Sequence, residues 1–135
     1  MVGLRFVLDT NILIALTKHH AGLKRRLAQH AMHEFGVPVI VLHELYYGAY
    51  RSNPSRRQGN LANVRHIPFR LIDFTSGDAE AAGRVRAELA RAGIPIGPYD
   101  ALIAAQALTR GLTLVTHNTR EFTRVPGLRV EDWLQ

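Results

Sequence analysis

Short hydrophobic runs alternate along this chain with longer stretches in which apolar positions recur every three or four residues. The runs predict buried strands at residues 4–8, 37–41, 70–74 and 112–116, with a short fifth strand at 128–130. The periodic stretches predict helices at residues 12–17, 23–35, 44–51, 56–66, 79–92 and 100–110. Strands that alternate with helices are typical of an α/β sandwich with a mainly parallel central sheet.

Polar residues and glycines mark the expected helix ends. Thr10 or Asn11 is placed to cap the first helix, and Thr75 with Asp78 matches a capping box before the helix at 79–92. Glycine is predicted to end the preceding helix at three positions, Gly36, Gly93 and Gly111.

Three carboxylates stand at the ends of apolar segments. Asp9 ends the run at 4–8, Glu44 follows the run at 39–43, and Asp100 opens an apolar helix. Burying an ionised carboxylate is costly unless it is paired or bound to a cation. Because ligands bind beyond the carboxyl ends of parallel strands, we expect these acids to share one divalent metal there.

Each acid also has a purely structural interpretation. Asp9 would cap a helix, Glu44 would pair with an arginine, and Asp100 would favour a helix amino end. The three together, in this order, favour the metal site. A phosphatase that uses two aspartates two residues apart is disfavoured by Asn11, and no phosphate-binding P-loop is present. No histidine is assigned a catalytic role, although His43 adjoins Glu44.

Length and composition indicate one globular domain over residues 1–135. The chain has no cysteine, which excludes disulfides and cysteine-bound zinc. No apolar run approaches the roughly 20 residues that span a bilayer, and residues 1–5 lead into a strand without a recognisable secretion signal. We therefore expect a cytoplasmic protein without a membrane partner.

Positive charge is concentrated in one part of the chain. The net charge is +6, but residues 18–70 alone hold nine Lys and Arg against two Glu, a net charge of +7. This favours a polyanionic partner, nucleic acid first, over a merely solubilising surface. Arg51, Arg56 and Arg57 follow Glu44 and are the predicted RNA contacts. Tyr46 and Tyr50 share a helix face and fit core or dimer contacts better than base stacking.

Four segments together resemble the PIN-domain ribonucleases, and most of all the VapC toxins of bacterial type II toxin–antitoxin pairs. The segments are Asp9-Thr10-Asn11, Glu44, residues 99–107 and residues 114–128. The resemblance covers the whole chain. It implies a PIN-like three-layer sandwich and a metal-dependent endoribonuclease that acts as a growth-inhibiting toxin.

The resemblance also implies the site residues. Asp9, Glu44 and Asp100 match the acids that hold Mg²⁺, or Mn²⁺ as a substitute. The family often has a further acid where this chain has Asn118, which joins the predicted catalytic set. Glu121, Thr10 and Thr116 are predicted as further ligands or as supporting groups.

The partners implied are a structured RNA, most simply tRNA cut in the anticodon region, a cognate antitoxin that covers the acidic groove, and a second copy in a homodimer. The neutral Asn118 keeps an alternative open. In that alternative the chain is a non-catalytic PIN-like module that binds nucleic acid or protein.

Overall fold

A parallel sheet of five strands lies at the centre of the structure, a computed structural model that describes residues 3–135. Met1 and Val2, where the first segment was expected to lead into a strand, lie outside the described residues. In chain order the strands are β1 Phe6–Leu8, β2 Phe35–Pro38, β3 Arg70–Ile72, β4 Thr113–Val115 and β5 Arg129–Glu131. They lie in the order β3-β2-β1-β4-β5, and all four pairings are parallel.

Helices connect the strands and flank the sheet. They are α1 Thr10–Thr17, α2 Ala21–Ala28, α3 Val39–Arg51, α4 Pro54–Arg65, α5 Ser76–Arg91, α6 Pro98–Arg110 and α7 Thr119–Phe122. This arrangement confirms the predicted three-layer α/β sandwich. Within residues 3–135, none of the helices combines the length and hydrophobicity needed to span a bilayer.

The hydrophobic core lies on both faces of β1 and β4. Val7, Leu8, Leu114 and Val115 are fully buried, because helices cover both sides of a parallel sheet. The continuous apolar runs of the sequence reflect this burial. Both strands end at the same edge, where Leu8 pairs with Val115, so the residues that follow them meet there.

The second predicted strand was placed too late in the chain. The structure has β2 at Phe35–Pro38 and begins α3 at Val39, so the segment 39–43 is helical. Pro38 ends the strand in an extended conformation, and Val41 is fully buried against the core from the helix. Packing outweighs the strand preference of β-branched residues here. Glu44 therefore lies on a helix and does not follow a strand.

The predicted helix at 23–35 was too long. It ends at Ala28, and a short 3₁₀ turn at Met32–Glu34 leads into β2. Gly36 does not stop a helix, because it lies inside β2, where an added Cβ would be 2.6 Å from Ile72 Cδ1. Gly93 and Gly111 do follow helices with positive φ, as predicted.

Helix capping was predicted in part. Asp9, not Thr10 or Asn11, caps α1 by accepting a hydrogen bond from the Thr10 backbone N–H at 2.8 Å. The capping box of α5 is confirmed: Thr75 Oγ1 accepts from the Asp78 N–H, and the Asp78 carboxylate accepts from the Thr75 N–H. The four-residue helix α7 was not predicted.

Candidate active site

Asp9 is held at the carboxyl edge of the two central strands. It follows β1, and Thr116 follows β4; both residues are buried. Thr116 Oγ1 donates a hydrogen bond to Asp9 Oδ2 at 2.7 Å, and Asn11 Nδ2 donates to the same oxygen at 3.3 Å. Asp9 Oδ1 accepts from the Thr10 N–H. The orientation of the carboxylate is therefore fixed by three neighbouring donors.

The loop after β4 is tied to the turn that carries Asp9. Asn11 Oδ1 accepts a hydrogen bond from the His117 N–H at 2.9 Å, and Thr116 Oγ1 accepts from the Asn118 N–H at 3.0 Å. The sequence predicts either Thr10 or Asn11 as a helix cap, but the Asn11 side chain bridges two loops. This role depends on strand order, which a single sequence does not display.

Glu44 and Asp100 reach the same edge from two helices. Glu44 lies on α3, and Asp100 lies in the first turn of α6. Burial, and then the charges of Asp9, Glu121 and Glu44, raise the pKa of Asp100 to about 6. Burial and the charge of Asp9 also raise the pKa of Glu44. These mutual effects show that the predicted acids lie near one another.

Burial has the largest effect on Asp9. It raises the pKa of that carboxyl although the hydrogen bonds from Thr116, Thr10 and Asn11 each lower it. The ionised form therefore lacks full compensation from the protein.

Glu121 is a fourth acid in this cluster. Its Oε1 accepts a hydrogen bond from the Gly97 N–H at 3.0 Å. A Cβ built on Gly97 would lie 3.6 Å from Asp100 Oδ2 and 3.9 Å from Glu121 Oε1, so both carboxylates flank this glycine. Asn118 differs: among residues 3–135 its exposed side chain makes no hydrogen bond, and only its backbone joins the network.

The donor set fits a hard divalent cation. Four clustered carboxylates, three of them with raised pKa values, form an oxygen-rich site in which a cation would relieve mutual repulsion. The buried Thr10 Oγ1 has no hydrogen-bond partner among the described residues, although it lies near enough to lower the pKa of Glu44. Within residues 3–135, no three His, Cys, Asp or Glu side chains already surround one point.

The predicted RNA-contact arginines lie at the junction of α3 and α4. Arg51 ends α3 and Arg56 lies in the first turn of α4; both are exposed. Arg57 is partly buried and donates to the Ser52 carbonyl at 3.5 Å. Arg51 lies seven residues beyond Glu44, which is about 10 Å along the helix axis. Arg51 therefore lies near the acidic cluster but forms no ion pair with its carboxylates among the described residues.

The two tyrosines that were expected to share a face have different surroundings. Tyr46 packs against a small core cluster around Ala49 and Leu61, whereas Tyr50 is 55% exposed. Core packing therefore accounts for Tyr46 only.

Comparison with known proteins agrees with this geometry. The PIN domain family model matches residues 6–128. Over 132 residues the chain is 43% identical to the tRNA(fMet)-specific endonuclease VapC of Shigella flexneri, which covers 96% of this chain and 98% of that protein.

Solved structures give the same result. A chain of the DNA-bound VapBC structure from Salmonella typhimurium superposes with a TM-score of 0.89 at 40% identity, covering 96% of this chain and 98% of that chain. A chain of VapBC2 from Rickettsia felis, bound to a promoter DNA fragment, gives 0.86 at 33% identity, with 96% and 99% covered.

The fold, the acidic edge and the family match define the class: the chain belongs to the PIN-domain family. Within that family it belongs with the VapC proteins, which it matches over nearly its whole length.

Proposed function

We propose that this protein is a divalent-metal-dependent endoribonuclease that cleaves tRNA in the cytoplasm and acts as the toxin of a toxin–antitoxin pair. The cluster of Asp9, Glu44, Asp100 and Glu121 at the carboxyl edge of the sheet carries this proposal. The VapC relatives, among them a tRNA(fMet)-specific endonuclease, support the substrate class. The anticodon region remains the predicted cleavage site within tRNA.

The acids would hold Mg²⁺, or Mn²⁺ in its place. When bound, such a cation lowers the pKa of a coordinated water and offsets charge on the scissile phosphate. Thr116 and Asn11 keep Asp9 Oδ2 in one orientation. The Gly97 N–H does the same for Glu121, which we assign as the fourth acid in preference to the Asn118 side chain.

RNA would reach these acids along the positively charged part of the chain. Arg51 and Arg56 are exposed at the α3–α4 junction and supply charge for the phosphate backbone. A divalent cation would offset part of the negative charge of these acids, which would weaken their repulsion of the negatively charged RNA.

The cognate antitoxin would occupy a separate groove beside the acids. A groove of about 490 Å³ lies between α1, α3 and α4. Apolar side chains such as Leu13, Leu45 and Ile67 line it, and Glu44 lies at its wall. Such a groove suits the apolar face of an amphipathic helix. The similar solved chains come from VapBC toxin–antitoxin complexes, which supports this occupant. An antitoxin bound here would cover Glu44 and close the site.

Metal binding tests this proposal against a non-catalytic binding module. Titration of Mn²⁺, followed by calorimetry, should show a site in the wild-type protein that Asp9→Asn weakens at least about tenfold. Asp132→Asn is the matched control, since Asp132 pairs with His117 and is not among the carboxylates that raise the pKa of Asp100. Absence of Mn²⁺ binding at millimolar metal would favour the binding module.

A further inference from the structure

Three exposed aromatic rings lie beside the acidic cluster. Tyr47 is 59% exposed and Tyr99 is 52% exposed, and His43 is also exposed. We refer to His43, Tyr47 and Tyr99 as the aromatic face. None of the three rings belongs to a hydrophobic core cluster. Packing within the chain therefore does not account for these rings.

The aromatic face is built on the two helices that present Glu44 and Asp100. His43 directly precedes Glu44 on α3, and Tyr99 directly precedes Asp100 on α6. The ring centroids of His43 and Tyr99 are 5.9 Å apart, with the planes tilted by 57°. The two rings thus connect the helices at the rim of the acidic cluster.

Tyr47 extends this surface away from the acids. It lies four residues after His43, so both side chains point to the same side of α3, about 6 Å apart along the axis. The Arg51 guanidinium lies 5.5 Å from the centroid of the Tyr47 ring. The surface thus runs from the carboxylates to a cation that is stacked on an aromatic ring.

We propose that the aromatic face binds the bases of an unpaired RNA segment that flanks the scissile phosphate, with Arg51 contacting its backbone. This inference rests on the proposed ribonuclease function. Exposed rings interleaved with cations are the usual means of holding single-stranded nucleic acid, because every base offers a π-face to stack on. Specific recognition of RNA also uses unpaired loops with splayed bases.

Charge favours RNA over a second copy of this chain at the aromatic face. In a twofold contact this patch would meet its own copy, so the exposed Arg51 and Arg56 of both copies would lie in one interface. Like charges brought together in this way disfavour association. The same charges attract a phosphate backbone. Glu44 lies on α3 between the aromatic face and the groove assigned to the antitoxin, so the two surfaces are distinct.

Fluorescence of 2-aminopurine tests the stacking directly, since the fluorophore is quenched when it stacks on an aromatic ring. The probe is a short single-stranded RNA that carries 2-aminopurine, added to Asp9→Asn protein so that it is not cleaved. We expect quenching on binding, with about a tenfold or greater loss of affinity and less quenching when Tyr99→Ala or Tyr47→Ala is added. Tyr99→Phe keeps the ring and should retain both signals.

Two further measurements separate the possible failures. In cleavage of a tRNA pool, Tyr99→Ala in the otherwise wild-type protein should raise KM more than it lowers kcat. Leu71→Ala, which removes an exposed apolar side chain on β3, should change neither value. Active wild-type protein with unchanged KM and quenching in Tyr99→Ala and Tyr47→Ala would overturn the stacking inference alone. Inactive wild-type protein would overturn the proposed function.

The oligomeric mass of each variant is measured by light scattering. A fall in mass that parallels the loss of binding would identify the aromatic face as a contact between copies and would also overturn the inference. An unchanged mass together with lost quenching supports it.

Discussion

Asp9 has a local structural role and a role in the acidic cluster. It caps α1 through Oδ1, while Oδ2 accepts hydrogen bonds from Thr116 and Asn11 across the sheet edge. The sequence offered capping and metal binding as alternatives, but one carboxylate is placed for both. A carboxylate held by three donors keeps its orientation when other acids approach, which suits a fixed ligand.

Asp100 makes the metal-free protein sensitive to pH. Its pKa rises from 3.8 to about 6 on folding, so between these values the folded chain holds a proton that the unfolded chain has released. Stability without metal should therefore fall as pH rises through this window. Thermal melts in EDTA at about pH 5 and about pH 7 should show this fall in the wild type and a smaller fall in Asp100→Asn. Equal falls in both proteins would contradict the assignment.

Single substitutions distinguish the contributions of Glu121 and Asn118 to cleavage. Glu121→Gln keeps an acceptor for the Gly97 N–H but removes the charge beside Asp100. We expect cleavage to fall at least about tenfold in Glu121→Gln. Asn118→Ala should have a smaller effect, because only the backbone of Asn118 joins the described network. Initial cleavage rates of the two variants are compared at equal metal concentration. A larger loss of activity in Asn118→Ala than in Glu121→Gln would contradict the assignment of Glu121 as the fourth acid.

Residue types and their order in the chain predicted that Asp9, Glu44 and Asp100 lie at one edge of the sheet, but not how they assemble. Asp9 and Asp100 occupy the predicted positions after a strand and at a helix start. The sequence predicted Glu121 only as one of several further ligands or supporting groups. Its place beside Asp100 depends on the short helix α7. Four residues show too little periodicity to predict a helix, so this contact was not readable from the sequence.

At the level of elements, hydrophobic patterning predicted the strands and most helices. The pattern is strongest at β1 and β4, which are buried on both faces, whereas the edge strands β3 and β5 are partly exposed. Patterning was wrong where packing reverses a local preference. Residues 39–41 are β-branched, yet they form the first turn of α3. Gly36 shows the opposite case, since a residue expected to end a helix lies inside strand β2. Tertiary contacts determine both the helical conformation of residues 39–41 and the place of Gly36 in a strand, and these contacts cannot be inferred from a single sequence.

Gly36→Ala should destabilise the sheet. The new Cβ would lie 2.6 Å from Ile72 Cδ1 and 3.1 Å from Leu4 Cδ2, so neighbouring side chains must move. We expect a loss of roughly 1–3 kcal/mol in the free energy of unfolding. Gly83→Ala is the matched control: its Cβ meets nothing within 4 Å on α5, and it should be neutral or stabilising by up to about 1 kcal/mol. Urea denaturation compares the two, and equal effects would refute the packing argument.

Arg110 holds α5 and α6 together through Asp78. Burial raises the pKa of Asp78, but hydrogen bonds from Arg110, Thr75 and Thr109 outweigh it and lower the pKa to about 2. Arg110→Met would leave a buried carboxylate without its cation, at a cost of about 3 kcal/mol in unfolding free energy. Arg84→Met breaks only an exposed pair with Glu88 and should change stability by less than about 1 kcal/mol. Similar losses in both variants would argue against this linkage.

For the molecule as a whole, the concentration of positive charge in residues 18–70 predicts salt-dependent RNA binding. Arg56→Gln should weaken tRNA binding at every salt concentration and reduce the slope of log affinity against log salt by about 0.7 to 0.9. Arg86→Gln removes an equal charge from α5 and should leave the slope nearly unchanged. Fluorescence anisotropy over a salt series measures both slopes. Identical slopes for the two variants would show that only net charge matters.

Metal-dependent cleavage of RNA by the acidic cluster is tested by one cleavage assay. A total tRNA pool is incubated with wild-type protein in Mg²⁺ or Mn²⁺, with wild-type protein in EDTA, and with Asp9→Asn protein in metal. We predict discrete fragments only with wild-type protein and metal, and a rate at least about a hundredfold lower for Asp9→Asn. Circular dichroism verifies that each protein is folded. Equal fragment yields in EDTA or with folded Asp9→Asn protein would contradict a reaction that depends on metal held by these acids.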